Sequence, residues 1–325
     1  MLTKSLIISD KIYGEIEIDS PVIVELINTT AVQRLKGINQ YGVPDEFYHC
    51  KNYSRYDHSI GVFLILKKLG ASEEEQIAGL LHDISHTAFS HVIDWVIGEG
   101  DMENYQDSQH MGYISDREIS RILKKYNYHP HRILDHKNFS LLEQEIPEVC
   151  ADRLDYSLQE FALKNAKKCF KGLIVVSGKI AFDSKENAKL FAEEFLKKSV
   201  DHWAGYEAVV RYRLFANVLK IALKEKIISF SDFKKTDNFI IGKLLKSGNV
   251  KIKKLLTILR NKPLKNMPLG NKFAYKKFRH VDPLFLENGT LYRLSEVDKE
   301  FKNLMEKVRE IHKKGIRLPK ISLLQ

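Results

Sequence analysis

The sequence contains no long apolar run and only three cysteines. No stretch approaches the roughly 18 consecutive apolar residues of a membrane-spanning helix, so we expect no membrane partner. Cys50, Cys150 and Cys169 are an odd number without CxxC spacing, which predicts free thiols in a reducing compartment. Because the amino-terminal residues also lack the layout of a signal peptide, we expect a cytoplasmic protein.

Strand signals are scarce as well. Residues 173–182 form two short apolar segments around Ser177-Gly178, and residues 284–294 contain a second turn signal at Asn288-Gly289, so each stretch predicts a β-hairpin. Apolar residues at helical spacing and N-terminal caps predict helices in much of the remainder. The predicted helices include 54–69, one from Ser72 onwards, one from Pro147 through Asp152 to about Lys164, and others at roughly 184–202, 203–227, 237–247 and 295–313.

Positive charge is in excess, with 52 Lys and Arg against 42 Asp and Glu. A formal charge of +10 favours anionic ligands such as nucleotides, phosphate esters or nucleic acid, without choosing among them. The stretch from Lys243 to Lys277 is strongly basic. It is interpreted either as a solvated helical face or as a surface for a polyanion.

Titratable residues are concentrated in residues 79–94, which read GLLHDISHTAFSHVID. His82 and Asp83 directly follow the apolar part of the helix capped at Ser72, and buried ionisable groups are costly unless they are paired or bind a metal. Adjacent residues on a regular helix point about 100° apart, so both can face one ion only if the helix ends or distorts there. Imidazole and carboxylate together suit Zn, Fe, Mn, Ni or Mg ions.

Two further segments could complete such a site. His58 lies early on the helix that follows Ser54, although a hydrogen-bonded core histidine would explain it equally well. Residues 152–160 place polar side chains along one helical stripe, which could also be the solvated face of that helix. The members of the stripe are Asp152, Asp155, Tyr156, Gln159 and Glu160.

Read in order, RYDHS (55–59), HDISHTAFSH (82–91) and DRLDY (152–156) resemble the motifs of HD-domain phosphohydrolases. The resemblance is closest to the deoxynucleoside triphosphate triphosphohydrolase branch, which releases tripolyphosphate from dNTPs. It runs from about Ile12 through Leu163, and we expect a prokaryotic form without a sterile-alpha-motif module. The fold implied is mainly α: an HD-domain helical bundle with small β-hairpin additions and a helical C-terminal extension.

The resemblance also implies how the chain is organised. Residues 1–170 are expected to form the metal-dependent phosphohydrolase core. Residues 171–325 are expected to be mostly helical with short β-hairpins, to complete the substrate site and to offer an oligomer interface. Relatives in this family form oligomers, so we expect a homo-oligomer.

The resemblance assigns roles to individual residues. It implies four ligands for a divalent metal ion: His58, His82, Asp83 and Asp152. It implies an acid–base group at the scissile phosphate: His86, His91 and Asp94, the last two on a helix that Thr87 is expected to begin. A metal held by two imidazoles and two carboxylates keeps coordination positions for water and a phosphate oxygen.

Substrate contacts follow from the same resemblance. Gln40, Tyr156 and Glu160 correspond to sugar contacts, and Arg55 and Arg153 correspond to phosphate contacts. Tyr206 lies where a base or phosphate contact would fall. One position departs from the family pattern, because Asp116 stands where the triphosphohydrolases have a histidine, and His110 is nearby in a different register.

These observations support more than one function. The leading hypothesis is a nucleotide phosphohydrolase that converts a dNTP and water to deoxynucleoside and tripolyphosphate. The alternatives are a nucleotide phosphomonoesterase or phosphodiesterase, for which Asp116 leaves room, and an HD sensor that binds nucleotide or nucleic acid with little turnover. Residues 243–277 would provide the nucleic-acid contact in that sensor.

Overall fold

The computed structural model describes residues 5–98, 105–115, 117–264 and 266–320. Within these ranges the chain forms sixteen α-helices and eight short strands, which confirms the mainly α fold class with small β additions. Asp116 lies outside the described residues. None of the described helices combines the length and apolar character needed to cross a bilayer.

The helices follow one another along the chain with short connections. The first ten are α1 (Pro21–Ile27), α2 (Thr30–Arg34), α3 (Arg55–Lys68), α4 (Glu73–Leu81), α5 (Val92–Ile97), α6 (Tyr105–Ile114), α7 (Arg117–Lys125), α8 (Pro130–Leu134), α9 (Ala151–Leu158) and α10 (Leu163–Lys171). The remaining six are α11 (Lys185–Lys198), α12 (Tyr206–Lys224), α13 (Asp237–Lys246), α14 (Val250–Arg260), α15 (Leu294–Val297) and α16 (Lys299–Lys313). A π-helical turn, Ser199–Trp203, joins the region of α11 to that of α12.

The strands form three small sheets among the described residues. The strands are β1 (Leu6–Asp10), β2 (Gly14–Ile18), β3 (Leu173–Val176), β4 (Lys179–Phe182), β5 (Leu269–Ala274), β6 (Leu284–Glu287), β7 (Thr290–Arg293) and β8 (Ile316–Pro319). β1 pairs with β2, β5 pairs with β8, and the third sheet has the order β3-β4-β6-β7 with a parallel pair at β4 and β6.

Both predicted hairpins are confirmed. β3 and β4 join through Ser177 and Gly178, whose φ angles are 50° and 74°. β6 and β7 join through Asn288 and Gly289, whose φ angles are 51° and 78°. Positive φ at both central positions is typical of the two-residue turns that match the twist of a hairpin, and Asn-Gly is a preferred sequence for them.

Helix α3 lies at the centre of the site described below. Its first turn is fixed by a capping box: Ser54 Oγ accepts a hydrogen bond from the Asp57 N–H at 3.1 Å, and the Asp57 carboxylate accepts one from the Ser54 N–H at 3.0 Å. Most of α3 is buried, and it packs against α4 and α9. Because α4 and α9 both pack against α3, the polar residues of the three helices lie close together.

Two hydrophobic clusters hold the helices together. One contains buried residues from Ile12 to Val308, including α3, α9 and α11, and the other contains buried residues from Val43 to Leu318, including α12 and α14. Both clusters draw on residues before and after position 170. The division into a 1–170 core and a 171–325 region stays a prediction.

Two predicted helices are wrong in their bounds. The helix from Pro147 to Lys164 is instead α9 followed by α10, because Ala151 N–H donates to the Leu141 carbonyl at 2.8 Å and so ties this segment to the preceding loop. The helix expected from Thr87 begins only at Val92. Phe89 and Ser90 have φ angles of 66° and 47°, which a right-handed helix does not allow.

Arg211 of α12 joins three segments of the second hydrophobic cluster. The side chain is fully buried, and its guanidinium donates to the carbonyl oxygens of Phe47, Leu259 and Asn261 at 2.8, 2.7 and 2.9 Å. Its Nε also donates to Glu207 at 2.9 Å. Arg211 therefore has a structural role.

We predict that Arg211→Met lowers the free energy of unfolding by about 3–5 kcal/mol, because a half-buried carboxylate loses its cation and three carbonyls lose their donor. Urea denaturation followed by circular dichroism measures the change. Lys224→Met, at an exposed position of the same helix, is the matched control and should stay within about 0.5 kcal/mol of the parent chain. A loss below about 1 kcal/mol in Arg211→Met would contradict this role.

Candidate active site

The end of α4 allows two adjacent residues to point the same way. α4 ends at Leu81, and His82 is its C-cap. The chain then turns, with Ile84 N–H bonded to the Leu81 carbonyl and His86 N–H bonded to the Asp83 carbonyl. The sequence required a helix end at this point for both residues to face one ion. The structure has that helix end, because His82 and Asp83 follow the last residue of α4.

Four side chains from α3, the end of α4 and α9 converge. His58 Nε2 lies 3.2 Å from His82 Nε2, 2.9 Å from Asp152 Oδ1 and 3.6 Å from Asp83 Oδ2. His82 Nε2 lies 3.5 Å from both Asp83 Oδ1 and Asp152 Oδ1. Ligands bound at about 2.1 Å to a single ion are typically about 3 Å apart. His58, His82 and Asp83 can hold one divalent ion, because their ligand atoms all lie within 4.8 Å of one another, and Asp152 lies beside both histidines.

The outward-facing nitrogens of the two histidines fix which nitrogen faces the cluster. His58 Nδ1 lies 2.7 Å from Asp155 Oδ2, and His82 Nδ1 lies 2.7 Å from the Gly79 carbonyl oxygen. Both partners accept hydrogen bonds, so each Nδ1 carries a proton, and each Nε2 would turn its lone pair towards a metal ion bound in the cluster, as in metal-bound histidines. Two lone pairs and two carboxylates then face one point, which requires a cation there.

The charges of the cluster shift the pKa values of its members. Burial by itself lowers the pKa of His58, but the hydrogen bonds to Asp152 and Asp155 and the charge of Asp83 raise that pKa to about 10. Burial likewise opposes ionisation of Asp83, but Arg55 and His82 hold its pKa well below the usual range. At neutral pH either a proton or a metal cation therefore occupies the space between these side chains.

Asp155 is held in place by contacts of its own. It is fully buried, Tyr13 Oη donates to its Oδ1, and Gly61 of α3 lies against it. A Cβ at position 61 would be 1.8 Å from Asp155 Oδ1. Gly61 therefore provides the space in which the carboxylate that orients His58 lies.

The three residues expected to handle protons lie beside the ligand cluster. His86 Nε2 is 3.1 Å from Asp83 Oδ1, and the rings of His86 and His91 are 4.8 Å apart between centroids. His91 Nδ1 is 3.4 Å from the fully buried Asp94 Oδ2, whose other oxygen accepts from the Tyr105 N–H at 3.0 Å. Burial and the nearby Arg55 charge hold the pKa of His86 well below its usual range, so this imidazole is neutral at neutral pH.

A pocket of about 560 Å³ opens above the cluster. Of the predicted ligands and catalytic residues, His82, Asp83, Asp152, His86 and His91 line it. Of the predicted substrate contacts, Gln40, Arg55, Tyr156 and Glu160 line it. The structure thus brings these groups together around one cavity of a size that suits a small-molecule ligand.

The predicted substrate contacts differ in their surroundings. Arg55 is buried and its guanidinium donates to Asp83 Oδ2 at 2.7 Å and to Ser90 Oγ at 3.0 Å. Glu160 accepts from His202 Nδ1 at 2.6 Å and from Trp203 Nε1 at 2.7 Å. Both side chains therefore have partners within the protein while lining the pocket.

Arg153 and Tyr206 have other neighbours. Arg153 donates to the carbonyl oxygens of Glu148 and Gln144 and lines a surface depression that shares Glu143 and Lys277 with the catalytic pocket. Tyr206 Oη donates to the Leu264 carbonyl at 3.4 Å. His110, considered in place of the family histidine, is buried with Nε2 at 3.1 Å from the Leu81 carbonyl oxygen.

The pocket also contains residues that the sequence did not single out. Most of them are aromatic or cationic, and one, Glu143, is acidic. The aromatic members are Tyr48, Tyr53, His202 and Trp203, and Tyr41 and Tyr212 also line the pocket. The cationic members are Lys276, Lys277 and Arg279, which lie in the segment after β5. The basic stretch 243–277 was the available signal for the lysines, and nothing in the local pattern distinguished the aromatic residues from core residues.

Comparison with known proteins gives a consistent result. The HD domain family profile matches residues 55–158. The uncharacterized protein YdhJ of Bacillus subtilis is 39% identical over 318 residues, which are 95% of this chain and 97% of YdhJ. The metal-dependent phosphohydrolase cns2 of Cordyceps militaris is 37% identical over 57% of this chain and 53% of cns2.

More distant proteins also match. The deoxynucleoside triphosphate triphosphohydrolase SAMHD1 homolog of Dictyostelium discoideum is 28% identical over 58% of this chain and 43% of that protein. The chain thus spans about half or less of the length of the two curated enzymes. A crystal structure of a phosphohydrolase from Bacteroides thetaiotaomicron has the same fold, with a TM-score of 0.66, 19% identity and coverage of 93% of this chain and 97% of that one.

We predict that Gly61→Ala weakens metal binding by about 10- to 100-fold, because the new methyl group displaces the Asp155 carboxylate that orients His58. Metal content after dialysis, measured by mass spectrometry, reports the change. Gly112→Ala is the matched control, since no atom lies within 4 Å of its Cβ position in helix α6. Equal metal content in the two variants would contradict the role of Asp155.

Proposed function

The chain belongs to the HD-domain family of metal-dependent phosphohydrolases, and on that premise we propose that it hydrolyses deoxynucleoside triphosphates to deoxynucleoside and tripolyphosphate. One observation carries the proposal: a cluster suited to one metal ion lies in a pocket that has both an aromatic and a cationic lining. The match to a deoxynucleoside triphosphate triphosphohydrolase homolog supports the same substrate class.

The two linings suit the two ends of a nucleotide. Tyr156, Trp203 and Tyr212 offer flat apolar surface for a sugar and a base. Lys276, Lys277 and Arg279 offer positive charge for the phosphates. Arg55 lies between Asp83 and the Gln40 carbonyl, so its charge also acts near the metal cluster. These features favour a substrate with a base or sugar at one end and several phosphates at the other.

His58, His82, Asp83 and Asp152 are proposed as the ligands of the divalent ion. A divalent ion bound there would polarise a phosphoryl oxygen and lower the pKa of a bound water. Asp155 and the Gly79 carbonyl hold His58 and His82 in the tautomer that a ligand needs. Arg55 adds a positive charge 2.7 Å from Asp83, which keeps that carboxylate ionised.

His86, His91 and Asp94 are proposed to handle the proton of the leaving group. In the reaction, the bond between the α-phosphorus and the 5′ oxygen breaks, water supplies the new oxygen, and the 5′ oxygen receives a proton. His91 is proposed to deliver that proton, since its Nδ1 lies within ion-pair distance, 3.4 Å, of Asp94 Oδ2. His86, which is neutral, bonds Asp83 and lies between the two groups.

A second candidate is a phosphomonoesterase or phosphodiesterase acting on a nucleotide. The position of Arg153 favours it, because its guanidinium is bonded to the Glu148 and Gln144 carbonyls and does not line the catalytic pocket. Fewer phosphate contacts would suit a substrate with one phosphate. A nucleotide sensor with the same ligands and little turnover is the third candidate.

Three further expectations stay predictions: the cytoplasmic location, the homo-oligomer and the nucleic-acid contact through residues 243–277. In the structure that stretch is divided among several roles. Lys243 pairs with Asp232 at 2.8 Å and Arg260 pairs with Glu46 at 2.7 Å. The other exposed lysines of residues 243–277 would contact a nucleic acid as isolated charges and not as one continuous surface.

The test of the proposed reaction is a product assay on metal-analysed protein given each dNTP with Mn²⁺ or Mg²⁺. We expect deoxynucleoside and tripolyphosphate as the products. The cationic lining would bind the three phosphates as one group, and the bond to the 5′ oxygen of the sugar would be the one that breaks. Ion chromatography separates tripolyphosphate from pyrophosphate and orthophosphate. Orthophosphate as the product would replace this function by the phosphatase, and bound metal without turnover would favour the sensor.

Substitutions should separate metal binding from proton transfer. We predict that Asp152→Asn loses both metal and activity, whereas His91→Gln keeps its metal and loses about 10²- to 10⁴-fold in kcat. Metal analysis and steady-state kinetics measure the two effects. His129→Gln, at an exposed histidine of the same chain, is the control and should change neither. A His91→Gln variant with parental kcat would remove His91 from the mechanism.

A further inference from the structure

The segment between His86 and His91 has a backbone shape that its own residue types do not favour. Phe89 and Ser90 both have positive φ angles, 66° and 47°, and neither is glycine. Such residues cost free energy and persist only where the surrounding contacts hold them. Because two of the residues proposed to handle protons flank this turn, the groups that hold the turn determine where the two imidazoles lie.

One carboxylate bonds the backbone at the centre of this segment. Asp237, the first residue of α13, is 2% exposed, and its Oδ1 accepts a hydrogen bond from the Phe89 N–H at 2.7 Å. Its Oδ2 accepts from the Asn39 N–H at 2.9 Å and from Asn39 Nδ2 at 2.8 Å. Both oxygens of a buried carboxylate thus join two segments that are far apart in the sequence.

Asn39 is itself tied to the wall of the catalytic pocket. It pairs with Ser54, the cap of α3, as an isolated β-bridge, and its carbonyl accepts from Ser90 Oγ at 2.6 Å. The next residue, Gln40, lines the pocket. Asp237 therefore connects the histidine segment to a part of the chain whose place beside the pocket is already set.

The start of α13 is held at this place by contacts of its own. A Cβ on Gly37 would lie 2.6 Å from Thr236 Cγ2, so the chain at Gly37 and the start of α13 are in close contact. The Ala88 N–H donates to the Phe233 carbonyl at 2.8 Å, close to the same helix start. The position of Asp237 is therefore fixed by neighbours on two sides.

The contact requires a carboxylate. Burial raises the pKa of Asp237 to about 7, and the hydrogen bonds from Asn39 and Phe89 oppose that rise. Three N–H groups converge on the two oxygens. An asparagine amide in the same place would offer one acceptor oxygen and turn an NH₂ group towards the remaining donors. An amide at position 237 would thus be easier to bury but would lose part of the contact.

We propose that Asp237 is a positioning residue for His86 and His91, supplied from outside residues 55–158 that match the HD domain profile. It acts through the Phe89 backbone, by holding the turn that keeps the two imidazole rings 4.8 Å apart between centroids. The effect expected on turnover rests on the proposed function, in which His91 delivers a proton. The effect expected on the position of the rings does not.

The first test observes the imidazoles without turnover. Asp237→Asn and the parent chain, both loaded with Zn²⁺, are compared by NMR of isotope-labelled histidine rings. We expect the His86 and His91 resonances to shift or broaden, because the turn between them loses a bond. The resonance of His129, which is exposed, should stay in place. Spectra of His86→Gln and His91→Gln assign the two resonances.

The second test is steady-state hydrolysis of a dNTP. Asp237→Asn should lose about 10- to 100-fold in kcat, because a displaced proton donor slows the chemical step. Its metal content should be parental, and KM should change less than kcat. Asp298→Asn is the matched control, since this carboxylate is also buried and accepts from the Phe301 N–H at 2.9 Å as the cap of α16. It should lower the melting temperature and leave kcat and the histidine resonances unchanged.

Three results would overturn the proposal: unchanged His86 and His91 resonances in Asp237→Asn, equal changes in Asp298→Asn, or a parental kcat in Asp237→Asn. A parent chain without turnover contradicts the proposed function alone, since the NMR comparison still decides the position of the rings. If Asp237→Asn does not fold, Asn39→Ala, which removes only the Nδ2 donor, replaces it. A smaller shift of the same two resonances is then expected, and no shift overturns the proposal.

Discussion

The inward-facing nitrogens of His58 and His82 set the constraint on which the rest of the site depends. The two Nε2 atoms lie 3.2 Å apart with two carboxylates around them, an arrangement that needs a positive charge between them. Their other nitrogens bond Asp155 and the Gly79 carbonyl. α3, α4 and α9 have to pack as they do for these contacts to exist, so the hydrophobic core and the metal chemistry rest on the same helix contacts.

The residues that the sequence could assign are those whose roles depend on local pattern. His82 and Asp83 follow a capped helix that the apolar spacing predicted, and the predicted end of that helix is present at Leu81. The two hairpins follow from turn residues that accept positive φ. The break before α9 depends instead on the bond from Ala151 N–H to Leu141, which no local pattern encodes.

The lining of the catalytic pocket shows why the rest could not be predicted. Lys277 and Arg279 come from a segment more than a hundred residues beyond Asp152, and Trp203 lies in a π-helical turn. Their proximity results from tertiary packing of α11, α12 and the β5–β8 pair. Arg153 is the opposite case, because its neighbours in sequence offered carbonyl oxygens that compete with a substrate phosphate for the guanidinium.

The ligand cluster also has a consequence for the chain as a polymer. His58 and Asp152 are 94 positions apart in the sequence, and His58 and His82 are 24 apart. An ion bound by all of them would close two loops of the chain at one point and so act as a reversible cross-link. The entropic cost of closing a loop grows only slowly with loop length. A cross-link that joins α9 to α3 would therefore cost little more entropy than one that closes a short loop. A bound metal would then stabilise the contact between α9 and α3 as well as supply the chemistry.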